Sequence, residues 1–242
     1  MRQPRLRDSR NLVTELYPLG QVPQEIITKI AAGIVYRVHT GRKDLTGDDW
    51  GDILANAVNG VHYAKPVGIT DLATKTTAWS AKTVKANNPF TSINVRLISG
   101  RNSPDFSYGI EDPHDDVQKT GDAVLGIWNG RVDIAQAHHP RIRVNVLIRS
   151  YDLTEFVMYE EYLEHFRISD YKWKENERGN FEGYHKRTGE KCFTWQPHGS
   201  QFTIHSVVPD DAIRFRVRRP PLLTQETALD NIGFDESWIE IL

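Results

Sequence analysis

The chain has 242 residues, enough for one large domain or two small ones with a real core. Its 39% hydrophobic and 26% charged content is that of a soluble globular protein, and a formal net charge of -2 neither advertises nor excludes a local basic cleft. A single cysteine, Cys192, excludes an internal disulfide framework and fits a reducing cytoplasm; no apolar run is long enough to span a membrane, and the basic start at residues 1–10 lacks the apolar core of a signal peptide.

Residues 1–22 are polar with scattered apolar positions. Pro23 suits the first position of a helix, in which Ile26, Ile27, Ile30, Ala31, Ile34, Val35 and Val38 form a broad apolar stripe for a core or an interface. A loop over 41–45 leads to Thr46, a good N-cap, and Asp49 three residues on completes a capping-box pattern. Trp50, Ile53, Leu54, Ala57 and Val58 then recur at helical spacing, and Gly60 ends the helix. Two β-rich runs follow, 67–72 and 77–84, with 73–76 turning one back on the other.

This order places Asp71 at the end of one strand and Lys82, in the tripeptide Ser80-Ala81-Lys82, inside its neighbour. An acid and a lysine converging in this way suit phosphodiester hydrolysis. A divalent ion polarises the phosphate and helps make hydroxide from water. Magnesium takes hard oxygen ligands, commonly one or two carboxylates beside the substrate phosphate. A lysine next to it holds or helps deprotonate the water, or offsets charge building on the phosphate. Asp52, on the preceding helix, is a candidate second carboxylate.

Over residues 46–85 this pattern resembles the PD-(D/E)XK nuclease superfamily, to which most type II restriction endonucleases belong. In that family a helix often carries an acid, an Asp ends one strand, and (Asp/Glu)-X-Lys lies on the next. Asp52, Asp71 and Ser80-Ala81-Lys82 take those places, while Pro66 stands upstream of Asp71 without adjoining it. Ser80 is the departure, since the family usually has an acid there, though some members draw that carboxylate from elsewhere in the fold. The resemblance implies that Asp71 and Asp52 hold Mg2+ with the main-chain carbonyl of Ala81, and that Lys82 positions or activates the water beside Ser80. Plainer alternatives stay open: Asp71 as a strand-end turn residue, Lys82 as a solvated edge-strand residue, and Asp48 and Asp49 as acids serving the helix dipole.

Farther along, 92–99 alternates as a third strand and runs into a polar turn over 99–104, where Arg101 and Asn102 either hold phosphate or form a simple surface turn. A helix over 112–139 follows, with Val117, Thr120, Val124, Ile127, Trp128 and Val132 at helical spacing. His114, His138 and His139 lack the spacing of a zinc site. Glu111, Asp112, Asp115 and Asp116 read as a solvated helix start, with one of them a reserve for the missing acid. Segments 141–149 and 155–162 form a strong hairpin.

Residues 171–205 read as glycine-punctuated β-hairpins with Trp173, Phe193, Trp195 and Phe202 in their core. Lys172, Lys174, Arg178, Lys186, Arg187 and Lys191 suit phosphates, whereas Asn180, Gln196, His198, Ser200 and Gln201 are of the types that read base edges. The strand and loop from Arg96 to Ser103 are the next candidate for recognition. A closing strand over 212–219 stops at Pro220-Pro221, and the apolar tail (Ile232, Phe234, Trp238, Ile239, Ile241) is expected to dock on the body or on a second subunit.

The expectation is therefore a single α/β (α+β) domain with a mixed central sheet flanked by helices and a restriction-endonuclease-like core. Residues 23–140 would supply the nuclease core, and 141–242 a β-rich part for DNA recognition and dimerisation. The implied function is a cytoplasmic type II restriction endonuclease making Mg2+-dependent, sequence-specific double-strand cuts. A homodimer is the default, because a two-fold protein matches a palindromic site. The alternatives are another nuclease of the superfamily, acting in repair or recombination, and a DNA-binding module without catalysis.

Overall fold

A computed structural model describes residues 15–242; the basic start at 1–10 lies outside the described residues. Helix α1 (Gln24–His39) has Pro23 as its N-cap, one position before the expected first turn, and buries Ile30, Ile34 and Val38. Helix α2 (Gly47–Val58) is held by the anticipated capping box: Thr46 Oγ1 accepts the Asp49 N–H, and the Asp49 carboxylate accepts the Thr46 N–H at 3.0 Å. Its end differs, because Asn59 at φ 53° takes the left-handed position expected of Gly60.

The run expected as one strand over 67–72 is split. Gly68, at φ 66°, turns the chain between strand β1 (Val61–Val67) and strand β2 (Thr70–Ala73), and strand β3 (Ala78–Lys85) completes an antiparallel meander. The chain then leaves this sheet. Strand β4 (Asn94–Arg101), helix α3 (Pro104–Tyr108) and helix α4 (Val117–His138) intervene before strand β5 (Ile142–Arg149) returns to lie parallel to β3. The segment expected as a polar turn over 99–104 thus finishes β4 and caps α3 through Ser103.

Strand β6 (Glu155–Tyr162) forms the expected hairpin with β5. Strands β7 (Tyr171–Glu175), β8 (Phe181–His185), β9 (Lys191–Gln196) and β10 (Gln201–Val207) are the expected hairpins, and strand β11 (Ile213–Arg216) closes on β6. The fold is mixed α+β, with a mixed six-stranded sheet ordered β1-β2-β3-β5-β6-β11 and an antiparallel five-stranded sheet ordered β4-β10-β9-β8-β7. The two sheets interleave along the chain. β4 joins the second sheet, while β5, β6 and β11 join the first, so a division at residue 140 follows neither.

The central sheet is covered on both faces. On one, Leu72, Trp79, Ala81 and Leu147 pack with α1 and α2. On the other, Ala73, Ala78 and Ile142 meet Val124, Leu125, Trp128 and Val132 of α4, whose far side packs on the aromatic face of the second sheet. Val95 and Leu97 of β4 extend that layer onto Val146, Ile148 and Tyr159.

Burial on both faces traps charge. Arg143 and Glu160 are fully buried and paired at 2.9 Å. The second Glu160 oxygen accepts from Tyr17 Oη at 2.9 Å, Trp79 Nε1 at 2.7 Å and Asn145 Nδ2 at 3.1 Å. Burial, followed by the Glu160 charge, pushes the Tyr17 hydroxyl well above its ordinary pKa.

Beyond β11, Leu223 donates its N–H to the His39 carbonyl, and helix α5 (Gln225–Asn231) buries no residue. Ile232, Trp238, Ile239 and Ile241 stay exposed, so the expected docking on the body does not occur in the single chain. No described helix is long and apolar enough to cross a membrane.

Candidate active site

The register Leu72↔Trp79 sets Asp71 beside Ser80. Because side chains alternate along a strand, Asp71, Ser80 and Lys82 all point to the α4 face. Pairing between β2 and β3 gives way at this point to a side-chain contact: the Ala81 N–H donates to Asp71 Oδ2 at 2.8 Å, and Ser80 Oγ donates to the same oxygen at 3.2 Å. Lys82 Nζ lies 3.9 Å from that oxygen. The three sequence-predicted residues of the two strands therefore converge. The carbonyl of Ala81 points to the same side of β3 as its N–H, towards Asp71, as strand geometry requires.

Helix α4 adds a residue that the sequence reading passed over. Arg131 follows Trp128 by three positions, on the helix's buried stripe, and its main chain lies against the Gly68 turn that leads into β2. Its NH1 donates to the Ser99 carbonyl at 2.9 Å and to Asn102 Oδ1 at 3.2 Å. Burial lowers the Lys82 pKa; Asp71 opposes that shift, and the Arg131 charge adds to it. Arg131 is lowered by burial and raised by Asp71. The three charges therefore act on one another. The available signal was a lone arginine within the stripe Val124, Trp128, Val132, Ala135, which a helix keeps only when its guanidinium has polar work to do.

Asp52 is not brought to this point. Its helix packs on the opposite face of the sheet, where Asp52 accepts from Arg37 NH2 at 3.0 Å and pairs with His62 Nδ1 at 2.7 Å. His62 registers with Leu72, a residue of that same opposite face, while Asp71 points the other way. The expected second ligand is thus an ion-paired residue tying α2 to α1 and β1. Among the reserve acids, Asp116 lies far from this point. Asp116 caps the start of α4, and fifteen residues at 1.5 Å rise put it ~22 Å along the helix from Arg131. Among the described residues, no group of three or more His, Cys, Asp or Glu side chains is placed to hold a metal.

Ser80 and Lys82 line a cavity of about 530 Å3 shared with Ser99, Trp128 and Glu161. Glu161 lies two strands from Ser80 through Val144 and accepts from Ser206 at 3.3 Å; burial raises its pKa, and the Ser206 hydrogen bond opposes that. The donor set at Asp71 is one carboxylate, a hydroxyl and a main-chain carbonyl. It fits a magnesium ion that keeps most of its waters and shares substrate phosphate, the usual low-ligand arrangement.

The residues expected to contact DNA fall into three groups. Arg96, Asn180 and Gln196 line one polar groove of about 420 Å3 on the outer face of the second sheet, together with Glu182, Thr194 and His205. His205 Nε2 bonds Thr194 Oγ1 at 2.9 Å, and burial, then Lys191 and Arg96, lower its pKa against Glu182. Arg96 also lines a cleft of about 400 Å3 with Lys82 and Lys85, so it stands between the groove and the strand-borne site. Lys172 and Lys174 are exposed on β7, and Arg101, His198, Ser200 and Gln201 gather where β4 meets the β9–β10 turn, with Gln201 opposite Arg101. Ser200 holds that turn at φ 52°.

Asn102 is the correction in this set. It is fully buried, donating Nδ2 to the Val124 carbonyl at 3.0 Å and its N–H to Ser200 at 2.8 Å, while its own carbonyl accepts Trp195 Nε1 at 2.8 Å. It pins α4 to the second sheet and has no face left for a ligand. Compared with known proteins, the chain matches no family model, no curated protein and no solved structure.

Proposed function

We propose that the protein is a magnesium-dependent endodeoxyribonuclease of the type II restriction endonuclease kind, hydrolysing phosphodiesters in double-stranded DNA. One observation carries this: Asp71, Ser80 and Lys82, set on neighbouring strands, meet within 3.9 Å at a single carboxylate oxygen. In this reading Asp71 and the Ala81 carbonyl hold the ion, and Lys82 orients the attacking water or takes its proton. Magnesium would supply polarisation of the phosphate. The groove bearing Arg96, Asn180 and Gln196 is then the surface for base edges, and Lys172 and Lys174 meet phosphates. A homodimer on a two-fold site remains the assembly that this activity favours.

The test is incubation of the full chain with unmodified phage DNA and Mg2+, followed by gel electrophoresis. Discrete fragments support restriction; a smear supports a nuclease of another kind; intact DNA that still shifts in a binding gel means a module without catalysis. Asp71→Ala and Lys82→Ala are each expected to lower cleavage at least a thousandfold while the far-ultraviolet spectrum stays unchanged. Asp52→Asn should keep cleavage within a few-fold, because its partners are Arg37 and His62. Cleavage at wild-type rate by Lys82→Ala would overturn the assignment.

A further inference from the structure

We infer that the exposed edge of the Arg131 guanidinium, beside Lys82 and Asp71, is an anion subsite that grips a non-bridging oxygen of a phosphate. The inference rests on the nuclease reading for its substrate, DNA, but the anion chemistry does not depend on that reading.

Arginine has five N–H donors. Those on NH1 are spent on the Ser99 carbonyl and Asn102 Oδ1, both uncharged oxygens. Nε and NH2 have no hydrogen-bond partner among the described residues, yet neither is among the sealed, partnerless polar atoms, a group that includes Arg143 Nε and Arg149 NH1. They are therefore open to a ligand. Whereas Arg143 and Arg149 each reach a carboxylate at 2.9 Å, Arg131 has no acid within 4.0 Å among the described residues.

The position is also fixed. Asn102 is held from three sides, and a methyl group at Gly100, which sits at φ 102°, would overlap the guanidinium. The guanidinium thus lies between a glycine and a buried amide, with its orientation set before any ligand arrives. Lys82 and Asp71 lie 3.9 Å apart and Glu161 lines the same cavity, so it is the unpaired donors of Arg131, rather than a net positive charge, that suit an anion. The planar fork of arginine matches phosphate oxygens.

The probe is inorganic pyrophosphate without metal, titrated calorimetrically into the full chain. Wild type should bind. Arg131→Gln should bind at least tenfold more weakly, Arg131→Lys should fall between, and Asp71→Asn should bind several-fold more tightly because a repelling charge has gone. A purely structural Arg131 would not produce that opposite sign at Asp71. Wild-type affinity in Arg131→Gln, no gain in Asp71→Asn, or no binding by wild type would each overturn the subsite. If circular dichroism shows Arg131→Gln to be unfolded, Arg131→Lys and Asp71→Asn decide it by the same criteria. In a second arm, DNA cleavage with Mg2+ should fall a hundredfold or more in Arg131→Gln. A wild type that binds pyrophosphate but never cuts DNA sinks the nuclease reading and leaves the subsite. A wild type that cuts DNA while Arg131→Gln cuts equally well sinks the subsite and leaves the reading.

Discussion

Replacing Glu160 by Gln tests what holds the central sheet to the segment before α1. The volume hardly changes, so no cavity forms, and the loss is electrostatic. Arg143 is fully buried and, among the described residues, would keep only Glu15, at 3.2 Å, as a charged partner. Removing one member of a buried pair costs ~3–5 kcal/mol, because the other charge is left uncompensated. Glu15 holds the cost near the lower end, about 3 kcal/mol, and an amide can still accept the Tyr17 and Trp79 hydrogen bonds. For a domain of this size each kcal/mol moves Tm by ~2–4 °C, so a fall of roughly 6–12 °C is expected. Urea unfolding at pH 7 followed by tryptophan fluorescence gives the free energy directly, and calorimetry gives Tm. The companion Arg143→Met, Glu160→Gln double variant removes the stranded charge and should regain at least half of the loss. A single-variant loss below about 1 kcal/mol, or a double variant equal to the sum of its parts, would refute the reasoning.

Glycine substitutions on α4 should differ in sign. A Cβ at Gly121 would overlap the Trp173 ring, so Gly121→Ala should lower stability by ~1–3 kcal/mol or more, whereas Gly130→Ala meets nothing within 4 Å and should raise it by ~0.5–1 kcal/mol, both read from urea midpoints. Tyr17 keeps its proton more firmly folded than unfolded, so its contribution is complete below pH ~10 and fades as pH rises further; Tyr17→Phe should flatten that decline relative to wild type in thermal melts from pH 8 to 11. In competition binding with Ca2+, Gln196→Ala should narrow the gap between cognate and random DNA by ~1–3 kcal/mol, while Lys174→Ala should weaken both alike and reduce the salt slope.

Local chemistry was legible in the sequence, and partner choice was not. The capping box of α2 was read down to its hydrogen bonds, since Thr46 and Asp49 need only each other. The pairing of Asp71 with Ser80 followed from a short turn, a local matter as well. Strand β1 escaped because residues 61–67 lack alternation and carry Lys65 near a proline, and the turn signal of Gly68 was absorbed into the next strand. Alternation pointed to a strand over 92–99, which is found two residues later at 94–101, but nothing local says that Arg96 faces His205 rather than a neighbour in the first sheet. Asp52 had the right spacing on the right helix, yet spacing cannot say which face of the sheet that helix covers. In β5 nothing local shows what meets Arg143, Asn145 and Arg149; they are buried because acids and carbonyls from distant segments meet them.

The outer strands have a consequence for how copies of this chain can meet. A strand with an unpaired flank is a template for adding another strand, and like charges set along it discourage a second identical one. All four outer strands carry exposed basic side chains: Lys65 on β1, Arg214 and Arg216 on β11, Arg96 and Arg101 on β4, and Lys172 and Lys174 on β7. Ribbon-to-ribbon growth between identical molecules is thereby penalised at each flank, and the protection weakens as added salt screens it. Self-association has to use side-chain surfaces instead, and a polyanion lying along any of these borders would lift the repulsion that keeps them apart.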